Sequence, residues 1–429
     1  MIDNILDELF SLRTGKRREN IDDLKLIYAL LGKPCNSVKV IHIAGTNGKG
    51  STATFLENIL LEAGYNVGKF TSPHILRYNE RILYNRQMID DEEIVENYFF
   101  LKQMIENCKK ENENLKDIYL NFFEITTFIA LMFFAKKNPD FLVIETGLGG
   151  RLDATNIINS DIALITNITF DHTAILGNSL REIAYEKSGI IKNGELCIYA
   201  DSLPELEEEI NKKTENSVNI IKKYNDMEIE LDKINYRTVI KFQNNKFILP
   251  LFGKFQANNF LLAYETAKFY NIDNETIQNG VNKVYWPARF EFFSVEPSVI
   301  LDAAHNDDSI RKLTENLTEI YKRNEVIVIT SLLATKDFEK VFTKLEKITD
   351  KIFITSLKDT VNGLSSAEIR EKMISLNIPV DGIIFEDNIL TAYKSAMNII
   401  KEKNSGYKAI VICGSFFEIA KFNRMVADK

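Results

Sequence analysis

The stretch Val38-Lys39-Val40-Ile41-His42-Ile43-Ala44-Gly45-Thr46-Asn47-Gly48-Lys49-Gly50-Ser51 decides how the rest of the chain is read. Its first residues are mostly β-branched and apolar, which predicts a buried strand over Val38 to Ile43. Gly45, Gly48 and Gly50 follow, and a helix is expected from about Thr52. Strand, glycine loop and helix in that order form a phosphate-binding context. Glycines let backbone N–H groups approach phosphate oxygens, the helix N-terminus adds positive partial charge, and Lys49 supplies a cation near the β- and γ-phosphates. The spacing departs from G-x-x-x-x-G-K-[ST], because Gly50 stands between Lys49 and Ser51.

The same alternation continues downstream. Phe141 to Glu145, Ile162 to Thr166 and Leu196 to Tyr199 read as further buried strands joined by amphipathic crossovers, the signature of a mostly parallel sheet. Upstream, Ile2, Ile5, Leu6 and Leu9 and then Ile21, Leu24, Ile27 and Leu31 fall at helical spacing. Between Val218 and Leu249 the pattern becomes short strand-like pieces, with a hairpin turn at Gln243-Asn244-Asn245-Lys246, expected as an antiparallel addition to the first domain. A helix from about Gln256 to Tyr270 precedes Trp286-Pro287-Ala288-Arg289 and Pro297, where a boundary fits. Strand signals then restart at Val299 to Leu301, Val326 to Thr330, Ile352 to Thr355, Gly382 to Phe385 and Ala409 to Cys413. The expected architecture is α/β: a phosphate-loop domain over residues 1–296 and a smaller Rossmann-like domain over 297–429.

Composition narrows the class. Hydrophobic residues are 45% and charged residues 27% of 429, the balance of a globular chain with sizeable cores. The net charge of −8, without a long basic run, disfavours nucleic acid as a partner. Cys35, Cys108, Cys197 and Cys413 are far apart and form no C-x-x-C pair, so neither a zinc site nor a disulfide framework is suggested. The longest uncharged apolar stretch, Ile125 to Ala135, is too short to span a bilayer, and Asp3, Asp7 and Glu8 do not suit a signal peptide. A cytoplasmic location without membrane association is expected.

Candidate chemistry gathers at strand ends, where ligands collect in open α/β sheets. The strand Phe141 to Ile144 delivers Glu145, followed by Thr146-Gly147-Leu148-Gly149-Gly150-Arg151. An acid at the end of a buried strand beside a phosphate loop is where Mg2+ is usually held. The strand Ile162 to Thr166 leads to Asn167-Ile168-Thr169-Phe170-Asp171-His172. Three of the four histidines, His74, His172 and His305, fall in polar or glycine-rich segments.

These motifs together resemble folylpolyglutamate synthase and dihydrofolate synthase, the folate branch of the Mur-ligase family. The resemblance is carried by Gly45 to Ser51, Thr71-Ser72-Pro73-His74, Asn79-Glu80-Arg81-Ile82, the run Glu145 to Asn156, Asp171-His172 and Glu186-Lys187-Ser188-Gly189-Ile190. Trp286-Pro287-Ala288-Arg289 is similar to the family's W-P-G-R, and Leu301-Asp302-Ala303-Ala304-His305-Asn306 to its L-D-G-A-H-N. Phe255, Ala288, Ala303, Asp307 and Ser188 depart from the common His, Gly, Gly, Pro and Ala.

The resemblance implies that Gly45, Thr46, Asn47, Gly48, Lys49, Gly50 and Ser51 hold ATP phosphates. It further implies that Ser72, Glu145 and His172 bind Mg2+, and that Lys187 carries a carbamate, with Lys49, His172 and Lys187 as the catalytic group. Gln256 and Asn259 would face the nucleotide, Arg289 would meet phosphate across the interdomain cleft, Asp302 the ribose or its surroundings, and His305 would lie nearby. Phe122, Phe123, Arg151 and Asp153 are implied substrate contacts. The implied reaction transfers the γ-phosphoryl group to a carboxylate, and the amine of L-glutamate then displaces phosphate. Its acceptors would be a reduced folate or dihydropteroate, and the enzyme a monomer. No clear general base is named; His74 and His305 are candidates. The rival readings are a dihydrofolate synthase only, a cell-wall amino-acid ligase of the same superfamily, and a nucleotide-hydrolysing switch that would turn over ATP without acceptor or amino acid.

Overall fold

The computed structural model describes residues 2–12, 18–111 and 116–427. The chain forms two compact units, one of residues 1–227 and 258–284 and one of residues 228–257 and 285–429. Among the described residues no helix is long and apolar enough to cross a membrane.

The first unit is built on β1 (Lys39–Ala44), β2 (Val67–Phe70), β3 (Ile82–Tyr84), β4 (Gln87–Met88), β5 (Phe141–Glu145), β6 (Ile162–Ile165), β7 (Leu196–Tyr199) and β8 (Ser217–Asn219). They form one sheet in the order β4-β3-β2-β5-β1-β6-β7-β8, with only β3 and β4 antiparallel to their neighbours. The central strands are buried on both faces, as their near-continuous apolar sequences require. Register sets the site. Ile43 of β1 is opposite Glu145 of β5, and Ala44 is opposite Ile165 of β6. The loops after β1, β5 and β6 therefore leave the sheet side by side.

The helix after β1 runs Lys49–Glu62, three residues earlier than expected, because Gly48 takes a left-handed φ of 91° and serves as its N-cap. Lys49, Gly50 and Ser51 thus lie in its first turn. β2 was not expected from the sequence. Its Lys69 is almost fully buried and ion-paired at 2.5 Å with Glu57 of the preceding helix, so a charged residue hides a buried strand.

The second unit holds β9 (Glu228–Asp232), β10 (Arg237–Phe242) and β11 (Asn245–Leu249) as an antiparallel sheet. Gln243 and Asn244, both at left-handed φ, turn the hairpin where the sequence places it. A second sheet contains β12 (Glu291–Val295), β13 (Ser298–Leu301), β14 (Val326–Thr330), β15 (Ile352–Ile354), β16 (Ile383–Phe385) and β17 (Ala409–Cys413), in the order β12-β13-β17-β14-β15-β16. All its pairs are parallel except β12 with β13.

The expected attachment of the three antiparallel strands to the first domain is corrected by their packing. Leu231 and Tyr236 pack on the core made by Phe252, Phe290, Ile300 and Val328, and Tyr236 stacks on Phe292 at 3.7 Å between ring centroids. The hydrophobic faces of these strands are thereby buried in the second unit. The division also falls differently from 296/297: the chain passes between units within the helix Gln256–Phe269, and again after Val284.

Candidate active site

The glycine loop is pinned to the segment after β6. Thr46 N donates to Asn167 O at 2.9 Å, Asn47 N to Asn167 Oδ1 at 2.9 Å, and Thr166 Oγ1 to Asn47 O at 2.6 Å. A Cβ on Gly45 would lie 1.8 Å from Thr166 Oγ1, and one on Gly48 would lie 2.2 Å from Asn259 Oδ1. Both positions admit only glycine, and Asn259 is placed against the loop. The first intrahelical bond is Thr52 N to Gly48 O at 2.9 Å. The amides of Lys49, Gly50 and Ser51 precede it and belong to the positive end of the helix.

Two lysines converge on this loop. Lys49 Nζ donates to Gly45 O at 3.1 Å and Thr46 O at 3.2 Å and lies 3.8 Å from Glu145 Oε1. Lys187, at the end of the helix Leu180–Ser188, donates to the same Gly45 carbonyl at 2.7 Å. Burial pushes the Lys187 pKa down to about 7, with the Lys49 charge the next cause, against the opposing pull of Asp171 and Asp153. The Lys49 cation beside helix amides suits a polyphosphate.

Glu145 is buried, and its Oε2 accepts from Ser72 N at 3.2 Å. β2 makes that contact possible: Phe70 pairs with Ile144, so the chain leaving β2 passes the end of β5. His172 follows Asp171 with a left-handed φ of 51°, and its half-exposed ring has Nε2 3.9 Å from Asp171 Oδ1. Among the described residues no three His, Cys, Asp or Glu side chains cluster to hold a metal by themselves. A hydroxyl, a carboxylate and an imidazole do fit Mg2+ or Mn2+, which usually keep waters and share ligands with substrate phosphates.

Arg151 is anchored to the helix that carries Lys187: its N donates to Glu186 O at 2.7 Å and its Nη2 to Glu186 Oε1 at 2.8 Å. Asp153 is buried beside the loop 146–150. Its Oδ2 accepts from Leu148 N at 2.8 Å, and its Oδ1 accepts from Thr155 N at 3.0 Å and from the Thr155 hydroxyl at 2.5 Å. Burial raises its pKa against these donors. This carboxylate orders the loop 146–150. The Phe123 ring lies under that loop, since a Cβ on Gly147 would come within 2.6 Å of Phe123 Cζ. Phe122 packs beside Tyr78, with the Arg81 guanidinium 5.1 Å from its ring centre.

The second unit groups Arg289, Asp302 and His305. Asp302 follows β13 and accepts from Phe290 N and Ala304 N, both at 2.8 Å. Its burial raises the pKa to about 6, opposed by the Arg289 charge. The Arg289 guanidinium lies 4.9 Å from the centre of the Phe416 ring, and His305 lies 6.0 Å from the same ring. Gln256 is buried at the start of its helix and falls among the second unit's residues, whereas Asn259 falls in the first.

The two histidines considered as bases are distinguished by their partners. Arg81 Nε donates to His74 Nδ1 at 2.8 Å, so the neutral ring carries its proton on Nε2. His305 Nδ1 lies 2.7 Å from Ala303 O, an acceptor only, so its neutral form keeps the lone pair on Nε2. Sequence reading missed His42, the fourth histidine. It is buried in β1, and its signal was an imidazole inside an apolar strand.

The profile of the Mur ligase middle domain matches residues 43–267, and that of the Mur ligase glutamate ligase domain matches residues 288–416. The dihydrofolate synthase/folylpolyglutamate synthase of Buchnera aphidicola subsp. Schizaphis graminum is 32% identical over 95% of this chain and 93% of its own length. Escherichia coli FolC, solved in complex with DHPP and ADP, superposes with a TM-score of 0.85 at 26% identity, covering 100% of this chain and 98% of that one. The bifunctional Yersinia pestis folylpolyglutamate synthase/dihydrofolate synthase, solved with AMPPNP and a Mn ion, gives 0.82 at 26% identity, over 99% and 98%. The chain belongs to the Mur ligase family, in its dihydrofolate synthase/folylpolyglutamate synthase branch.

Proposed function

We propose that this Mur ligase family member joins L-glutamate to the carboxylate of a reduced folate, and also to dihydropteroate, in an ATP-dependent reaction through an acyl phosphate. The observation that carries the reading is the convergence of Lys49 and Lys187 on the Gly45 carbonyl, beside the buried Glu145. A carboxylate is a poor electrophile until one oxygen accepts a phosphoryl group, which makes it the mixed anhydride of an acyl phosphate. Lys49 and the first-turn amides of the helix Lys49–Glu62 would hold the phosphates and offset charge on the transferring group. Ser72, Glu145 and His172 would hold a divalent cation, which when bound supplies further charge compensation to the phosphates. Asn259 would face the nucleotide beside Gly48, and Gln256, Arg289 and Asp302 would contact it elsewhere. Phe122, Phe123 and Arg151 would line the acceptor.

The amine of glutamate then attacks the acyl carbon and phosphate leaves with the former carboxylate oxygen. His305 is the better candidate to take the amine proton, because its neutral tautomer presents a lone pair on Nε2 while that of His74 presents a proton there. Lys187 is proposed to carry a carbamate. Reaction with CO2 needs a neutral amine, and a pKa near 7 leaves a substantial neutral fraction where an ordinary lysine would have almost none. A 13C resonance from added 13CO2, absent in Lys187→Met, would establish it. The monomeric state is proposed from the family resemblance, and the cytoplasmic location from the apolar patterning of the sequence.

The test is ADP release with Mg-ATP and L-glutamate, comparing dihydropteroate, tetrahydrofolate and no acceptor, with products identified by mass. Glutamylation of both acceptors is expected. Equal ADP release without acceptor, and no glutamylated product, would replace the ligase reading with the nucleotide switch. Glutamylation of dihydropteroate alone would restrict the enzyme to dihydrofolate synthesis.

A further inference from the structure

His42 sits in β1 opposite Ile144 of β5 and Ala163 of β6, with none of its surface exposed. Its Nε2 lies 2.8 Å from Thr155 Oγ1. The single hydroxyl proton of Thr155 goes to Asp153 Oδ1 at 2.5 Å, because that carboxylate already receives Thr155 N and Leu148 N and serves as the acceptor. The hydroxyl must then accept from His42, which sets the ring as the Nε2–H tautomer. Nδ1 is left buried with no hydrogen-bond partner among the described residues. Burial, with the Lys192 charge as a second cause, keeps the ring neutral down to a pKa of about 3. An aliphatic side chain would fill this strand position without an unpaired nitrogen, so the purpose of the imidazole is the N–H it donates.

We propose that His42 is a positioning residue: its Nε2–H, relayed through the Thr155 hydroxyl to Asp153, fixes the loop 146–150 between Glu145 and the Phe123 ring. The relay crosses from the interior of the sheet to the strand-end loop and also holds the Asp153 carboxylate in place. Its catalytic consequence rests on the ligase reading above; its structural part does not.

The experiment compares His42→Met with His42→Gln, whose amide nitrogen can replace Nε2–H. Hydrogen exchange is read by mass spectrometry on peptides covering 146–156, and ADP release with folate acceptor and glutamate is read alongside. In His42→Met, exchange over 146–156 is expected to accelerate relative to peptides of β1 and β5. Its kcat should fall by about tenfold, the scale for removing an outer partner of a site, with the KM for ATP nearly unchanged. His42→Gln should restore both readouts, and His42→Met should add nothing on a Thr155→Val background. Uniformly raised exchange, kcat unchanged in His42→Met, or failure of His42→Gln to rescue would each overturn the proposal. Should His42→Met not fold, Thr155→Val against Thr155→Ser makes the same comparison at the hydroxyl, with the same peptides and rate. A wild-type protein that glutamylates no acceptor would refute the ligase reading, while the exchange pattern would still decide the relay.

Discussion

The loop at Gly45 to Gly48 and the turn at Ala288 to Phe290 both use left-handed backbone, but they meet that requirement with different residues. Gly45 and Gly48 have φ of 149° and 91°, and a Cβ on either would collide with Thr166 or Asn259. Ala288 and Phe290 have φ of 57° and 52° and carry their side chains into the second unit's interior. In the first loop, glycine is demanded by close approach as well as by φ. In the turn only φ argues for it, and a buried Cβ is accommodated at the cost of local strain, on the order of 1 kcal/mol. The phosphate loop is therefore the less forgiving of the two.

The largest break in that comparison should come from charge rather than backbone. Lys49→Ala is expected to lower kcat for acceptor-dependent ADP release on the order of 10^3-fold, the scale of removing a donor aimed at developing charge. Gly48→Ala should come next, weakening nucleotide affinity by roughly thirtyfold, or about 2 kcal/mol, in calorimetric titration. Adding Asn259→Ala should recover little or none of that loss, because it relieves the clash but leaves the φ and removes a side chain proposed to face the nucleotide.

The second unit offers a buried charge to set against Lys187. Glu418 is fully buried, its Oε1 bonded to the Thr355 hydroxyl and its Oε2 without a hydrogen-bond partner among the described residues. Burial raises its pKa from 4.5 to about 7. The native state then binds more protons than the unfolded state between those values, so this group's contribution to stability falls as pH rises through that window. Glu418→Gln should gain about 1–2 kcal/mol in urea unfolding at pH 8 and almost nothing at pH 4.5. The smallest effect expected is at the turn. Ala288→Gly should relieve the left-handed strain but free the unfolded chain, leaving a net gain of about 0.5 kcal/mol, seen as a higher urea midpoint with the same slope.

Much of this was legible in the residues themselves. β5, β7, β14 and β17 have the bounds that their apolar runs indicate, because strands buried on both faces leave no choice of pattern. The motif residues Gly45 to Lys49, Glu145 and Lys187 were visible as strand-loop-helix chemistry or by family likeness, and the fold brings them together. β2 was hidden because Gly68 and Lys69 interrupt it, and the ion pair with Glu57 helps make a buried lysine tolerable. Attachment of Glu228 to Ala257 to the second unit depends on which core receives Leu231, Tyr236 and Phe252, a long-range choice that local periodicity does not encode. The hydrogen bonds that Asp153 accepts from Leu148 N and Thr155 N were not legible, since a motif records residue types and not the partners of each side chain.

The most direct test of the ligase account uses an acceptor labelled with 18O in the carboxylate that receives glutamate. Incubated with Mg-ATP and L-glutamate, the protein should release inorganic phosphate carrying one 18O for every amide formed, because phosphate departs with the oxygen it took from the carboxylate. Unlabelled phosphate, or ADP release with no glutamylated product, would contradict the acyl-phosphate ligase proposed for this chain.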